Sequence, residues 1–148
     1  LLASQGLDPL PDFIPPYESV QSNPILASRY PLAMISPPER HFLNTTFANI
    51  VSLRRTTPEP TLEIHPNDAL RRAIQNGQHV SIYNDRGSFI AKAVVTDSVR
   101  EGLVVAPSIW WKTAGKDGKN CNEVTSQALT DLGQAATFYD CLVEVKPV

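Results

Sequence analysis

Apolar and polar positions trade places in short runs along most of this chain, and such runs predict strands more often than long helices. Tyr30-Pro31-Leu32-Ala33-Met34-Ile35 reads as a short buried strand, stopped by Ser36-Pro37-Pro38. Leu62-Glu63-Ile64 is another. Val80 and Ile82 share one face of a further strand, Asn84-Asp85-Arg86-Gly87 form a turn, and Ser88 to Thr96 make the return strand. In that turn, Asp-x-Gly is expected to supply the positive φ that a hairpin needs. Asp97 to Gly102 turn again, and Leu103-Val104-Val105-Ala106 form a strand that ends at Pro107. In the last strand Cys141, Val143 and Val145 alternate with Leu142, Glu144 and Lys146.

One segment carries a helical signal. Pro66 suits a first helical position, Asn67 and Asp68 follow in the first turn, and Ala69, Leu70, Ala73 and Ile74 supply the apolar face. Gly77 stands where a helix would stop, so the helix is predicted to run from Pro66 to that glycine. Arg40 to Arg55 has some helical potential without a clean period, and Lys112 to Asn122 is a polar loop rich in Gly and Lys. Ten of the 13 prolines fall in the first 60 residues. Because proline fixes φ and lacks a donor, residues 1–29 are predicted to hold neither a regular helix nor a central strand. They read either as an extended strap anchored by Phe13, Ile14 and Tyr17, or as a linker. Short strands, one helix and long loops together indicate a mainly β fold, a small barrel with α insertions.

Composition narrows the function. A chain of 148 residues, 42% hydrophobic and 19% charged, has the makeup of one folded domain. Its net charge of −2 argues against a strongly basic nucleic-acid binder, and no apolar run approaches the ~20 residues of a membrane helix. Cys121 and Cys141 lie far apart and His41, His65 and His79 show no HExxH spacing, so no cluster, zinc or other metal site is expected. No GxSxG, GxGxxG or GxxxxGK[ST] is present, and no catalytic residue is assigned. Gly87-Ser88 is ordinary turn chemistry, although some barrel decarboxylases cleave themselves at such a bond. Of Trp110 and Trp111, either both are core or one ring lines a pocket. Lys112, Lys116 and Lys119 either meet phosphates or simply face solvent. A start at Leu1-Leu2-Ala3, with the only methionine at Met34, reads as a piece of a longer protein.

A series of motifs points further. Gly6-Leu7-Asp8-Pro9-Leu10-Pro11 leads to Tyr30-Pro31-Leu32 and Ile35-Ser36-Pro37, then His41-Phe42-Leu43-Asn44-Thr45-Thr46-Phe47-Ala48-Asn49. Ile64-His65-Pro66-Asn67-Asp68-Ala69 and Asn76-Gly77-Gln78-His79-Val80 follow. Pro107-Ser108-Ile109-Trp110-Trp111, Asn122-Glu123-Val124-Thr125 and Thr137-Phe138-Tyr139-Asp140-Cys141 complete it. In order and spacing this series resembles the C-terminal, molybdopterin-dinucleotide-binding domain of the dimethyl-sulfoxide reductase family of molybdenum and tungsten oxidoreductases.

The resemblance implies a double-psi β-barrel, like that of aspartate decarboxylase, over residues 30–148, with residues 1–29 as the strap. It implies a non-catalytic role: cradling a pterin guanine dinucleotide that carries Mo or W in the whole enzyme, and that the isolated domain would lack. It implies upstream domains as partners, and a cytoplasmic setting is expected. The cofactor-binding residues it implies are Ser36, His41, Asn44, Thr45 and Thr46 on one loop, with Trp111, Asn122 and Tyr139. Many relatives have Gly-Arg where this chain reads Ile35-Ser36, some have a Lys at the position of Tyr139, and relatives have glycines at Gln134-Ala135. The competing reading is a stand-alone double-psi barrel used as a protein-interaction module.

Overall fold

The computed structural model describes residues 2–6, 8, 10, 12–107, 109–130 and 132–148. Leu7, Pro9, Pro11 and Ser108 of the motif series therefore lie outside the described residues. Six strands form: β1 Leu32–Ile35, β2 Thr61–Ile64, β3 His79–Tyr83, β4 Ser88–Val95, β5 Leu103–Val105 and β6 Leu142–Pro147. They close into a barrel in the order β1-β5-β2-β4-β3-β6. Closure leaves no unpaired edge along the ring, which a sheet of such short strands needs. β1 pairs with β5 and β2 with β4 in parallel, while the other neighbours are antiparallel. Parallel pairs require crossover connections. The long crossings after β1 and β2 carry the short helices α2 (Val51–Arg54) and α3 (Pro66–Arg71).

The period-2 pattern sets the core. Met34, Leu62, Ile64, Val80, Ile82, Val104 and Val143 point inward and are completely buried. Each contributes roughly 1.5–3 kcal/mol by leaving water. Cys121, Val124 and Cys141 join the same cluster from the loops, so the chain between β5 and β6 is packed onto the barrel.

Four expectations need correction. Residues 24–29 do form a helix, α1 (Pro24–Arg29). Pro24 stands at a first helical position, where its missing donor has no acceptor to serve, and Asn23 Oδ1 caps the Leu26 N–H at 3.0 Å. Ala27 and Tyr30 then bury against Leu142, which explains why that nominally outward residue of β6 is apolar. Phe13 and Ile14 anchor nothing by burial, since both are largely exposed. Tyr17 does the anchoring, through its N–H to Asp140 Oδ2 at 3.1 Å and its hydroxyl to the Leu129 carbonyl at 3.0 Å.

α3 stops at Arg71 instead of running on to Gly77. Ala73 adopts a left-handed backbone (φ 52°), and Leu70 is 80% exposed, so the helical face is narrower than the apolar spacing implied. Asp68 turns inward, accepts the Gly102 N–H at 2.7 Å and is flanked by Arg71 and Arg72. Gly87 does not adopt positive φ. The turn closes through the Asn84 N–H to the Gly87 carbonyl, and the glycine is required by a neighbour: a Cβ there would sit 2.9 Å from the Glu123 carbonyl oxygen. No described helix is long and apolar enough to cross a membrane.

Candidate functional site

β1 and β5 run side by side and end together at Ile35 and Val105, with the Ala106 N–H donating to the Ile35 carbonyl at 2.9 Å. Pro37 and Pro107 follow, and proline cannot extend the ladder. Two loops, 36–60 and 106–141, therefore leave the barrel at the same rim. Between them lies a cleft of about 400 Å³ lined by Ser36, Pro38, Asn44, Ile109, Asn122, Thr125, Phe138 and Tyr139. Four of the eight sequence-derived site residues, Ser36, Asn44, Asn122 and Tyr139, thus share one wall-to-wall space.

The loop carrying Asn44 is held in a tight, strained form. Leu43 and Thr46 exchange both backbone hydrogen bonds, at 3.1 and 2.8 Å. Asn44 (φ 51°) and Phe47 (φ 72°) are left-handed. Asn tolerates that conformation, whereas a bulky residue held there costs about 1–3 kcal/mol. Trp111 supplies the restraint: its indole Nε1–H donates to the Thr45 carbonyl at 2.7 Å. The tryptophan pair therefore splits. Trp110 is buried edge-on against Phe42 with ring centroids 5.3 Å apart, and Trp111 is 45% exposed. Thr45, Thr46 and Trp111 do not line the cleft: the Thr45 carbonyl is taken by Trp111, and Thr46 pairs with Leu43. His41 stands apart from the cleft, its Nδ1 3.0 Å from Glu39 Oε1.

On the facing wall, a 3-10 turn over Cys121–Glu123 presents Asn122. Asn120 Oδ1 accepts the Asn122 N–H at 3.1 Å, and Asn120 Nδ2 donates to the Trp110 carbonyl at 2.8 Å. Asn120 was missed from sequence, although an Asn bonding its own backbone two residues on is a recurrent turn device. Thr125 and Phe138 were also missed as lining residues while lying inside quoted motifs. Phe138 and Tyr139 meet edge-on at 4.6 Å and are both nearly half exposed, giving the cleft an aromatic rim.

Among the described residues, the cleft is lined without a charged side chain. Lys112 is paired to Glu123 at 2.7 Å, and that hydrogen bond holds the Glu123 carboxyl below its usual range. Lys116 Nζ sits 3.3 Å from His79 Nδ1. The Ser36 hydroxyl contacts the Cys121 thiol, and burial pushes that thiol up to about 11, so it is neutral and unreactive near pH 7. Hydroxyls and amides beside an aromatic rim suit a flat heterocycle whose edges both donate and accept. A second cleft of about 690 Å³ contains Asp68, Arg71, Arg72, Glu101 and Glu144, whose charges are paired with one another.

Residues 32–142 match the family model described as molydopterin dinucleotide binding domain. The chain is 37% identical over 119 residues to a putative catalytic chain of dimethyl sulfoxide reductase from Halobacterium salinarum, covering 80% of this chain and 14% of that protein. It is 32% identical over 146 residues to the dimethyl sulfoxide reductase DmsA of Escherichia coli, covering 96% of this chain and 18% of that one. Its fold is similar to part of acetylene hydratase from Pelobacter acetylenicus: TM-score 0.84 at 20% identity, over 99% of this chain and 22% of that chain. The chain thus spans less than a fifth of the length of these two reductases. The family match runs from the start of β1 to the start of β6 and takes in both rim loops that build the cleft, so this chain belongs to the molydopterin dinucleotide binding domain family.

Proposed function

We propose that this chain cradles a pterin guanine dinucleotide within a larger molybdenum or tungsten oxidoreductase, and that the rim cleft receives a heterocycle of that cofactor. The observation that carries the reading is the meeting of Ser36, Asn44, Asn122 and Tyr139 on one cleft from segments about 80–100 residues apart. The Asn122 amide offers two donors and one acceptor to a pterin edge, and Phe138 and Tyr139 offer faces for a ring. In this reading the cleft seats one heterocycle of the dinucleotide, and the rest of the cofactor runs outside it along loop 41–47, past His41, Thr45 and Thr46. Trp111 contributes by holding Thr45, its indole donor being already used. When bound, the cofactor supplies the redox chemistry, and this chain supplies binding and orientation.

In this reading the barrel is a double-psi barrel, an assignment supported by the two parallel pairs, β1 with β5 and β2 with β4, and their crossing connections. Residues 30–148 form the cradle and residues 1–29 the strap that wraps it. Upstream domains of the parent enzyme complete the pocket in a cytoplasmic setting. An open cleft rimmed by half-exposed Phe138 and Tyr139 favours this over a free-standing interaction barrel, whose surface at this rim would be closed and polar.

Asn122→Ala in the full-length protein tests the reading. Asn122 is exposed in the open cleft, and losing an amide hydrogen bond that a bound ring would bury costs roughly 1–3 kcal/mol, so pterin content per chain should fall while the circular dichroism of the fold is unchanged. Undiminished pterin content would refute the assignment of the cleft.

A further inference from the structure

Directly behind the cleft wall, between Asn122 and Thr125, the carbonyl of Val124 collects three donors. Asn84 Nδ2 and Arg86 Nε each approach it at 2.8 Å, and Cys141 Sγ at 3.2 Å. A carbonyl has two lone pairs, so this one is saturated. Asn84 Nδ2 also reaches the Leu142 carbonyl at 3.0 Å, tying the turn between β3 and β4 to the start of β6.

The far edge of the Arg86 guanidinium faces the N-terminal segment. Its two terminal nitrogens grip both carboxylate oxygens of Glu18, the Nη2–Oε2 contact being 3.1 Å. Glu18 is only 10% exposed at its side chain and also accepts the Leu142 N–H at 2.9 Å. One planar group thus faces Glu18 with one edge and Val124 with the other, which an ammonium cannot do. Gly87 closes the gap on the same side, since any side chain there would meet the Glu123 carbonyl.

We infer that Arg86, aligned by Glu18, is a positioning residue for the cleft: it fixes the 121–125 turn from behind and thereby sets where Asn122 stands. The N-terminal segment around Glu18 and the cleft wall are in this way one mechanical unit, although their side chains come from opposite ends of the chain. What the wall positions rests on the cofactor reading above; that the wall is positioned does not.

Hydrogen exchange and pterin content, measured on Arg86→Gln, Arg86→Lys and Glu18→Gln in the full-length protein, separate the two. The reporters are the Glu123 and Val124 amides, bonded to the Asn120 and Cys121 carbonyls at 3.0 and 3.2 Å. Arg86→Gln should raise their exchange by about 10-fold or more and leave β2 and β4 amides unchanged. Pterin content should fall with it. Arg86→Lys should resemble Arg86→Gln, because charge without the planar fork does not hold Val124. Glu18→Gln should give the same pattern more weakly, and it carries the test if the Arg86 variants do not fold. Exchange that rises only in residues 17–22, or full rescue by Lys, would overturn the inference. A loosened wall with unchanged pterin content would uphold the positioning role and refute the cofactor reading.

Discussion

The barrel interior and the rim that carries the cleft are built on opposite terms. Inside, Met34, Leu62, Ile64, Val80, Ile82 and Val104 show no exposure, and regular strand backbone does the rest. At the rim, Leu43, Phe47, Trp111, Phe138 and Tyr139 are each more than 40% exposed, and Asn44 and Phe47 hold left-handed backbone. The interior is held by burial, which is non-directional and tolerant of volume-conserving change. The rim has its own small buried cluster of Phe42, Ala48 and Trp110, and its exposed tips are held by directed contacts such as Trp111 to Thr45 and Asn120 to Trp110. Stability and recognition are therefore separable here, and substitutions should sort by region.

The largest effect is expected in the interior. Ile82→Ala should lower unfolding free energy by about 2–5 kcal/mol in a denaturant titration, because the closed barrel cannot collapse around the void. Tyr139→Ala, 46% exposed at the rim, should shift it by less than about 1 kcal/mol while reducing pterin content. Equal losses of stability from the two would erase the distinction.

Asp68→Ala comes next, at about 1–3 kcal/mol, because it strands the Gly102 N–H, while Arg72 keeps its pair with Glu144. Glu101, exposed on the same cleft, serves as the comparison: Glu101→Gln should leave the unfolding midpoint in place.

A separate effect, confined to alkaline pH, is expected from the buried thiols. Burial raises the Cys121 and Cys141 thiols from 9.0 to about 11 and about 12. Folded thiols stay protonated where unfolded ones ionise, so the unfolded state loses protons first. Stability should be flat in this respect below pH 9 and decline as pH rises from 9 towards 11–12. A decline that survives Cys→Ser substitution at both positions would assign it elsewhere.

The smallest effect is expected at Phe47. In Phe47→Gly the relief of a left-handed phenylalanine should offset the lost contact, leaving stability within about 0.5 kcal/mol, whereas Phe89→Gly inside the barrel should cost several times more.

The strands were legible because a period of two encodes which face is buried, as Val80 and Ile82 or Val143 and Val145 show. α1 was hidden because Pro24 counted against a helix while standing at the one position where proline favours it. The end of α3 was hidden because nothing about an alanine announces a φ of 52° at Ala73. Of the residues named from ordered motifs, Ser36, Asn44, Asn122 and Tyr139 line one cleft, whereas His41 is not among its lining residues and meets Glu39. Gly87, Arg86 and Asn84 read as a plain turn, because their work is done against Glu123, Val124 and Glu18, residues that local pattern cannot bring near.

The central claim is that the rim cleft between Ser36 and Asn122 holds a ring of the dinucleotide. An experimental structure of the full-length protein with its cofactor tests it most directly. The account predicts a heterocycle seated between Asn44 and Asn122, with a ring edge hydrogen-bonded to the Asn122 amide and Tyr139 at its rim. A cofactor bound instead against the charged cleft of Asp68, Arg71 and Arg72, or a rim cleft filled by side chains of another part of the protein, would contradict it.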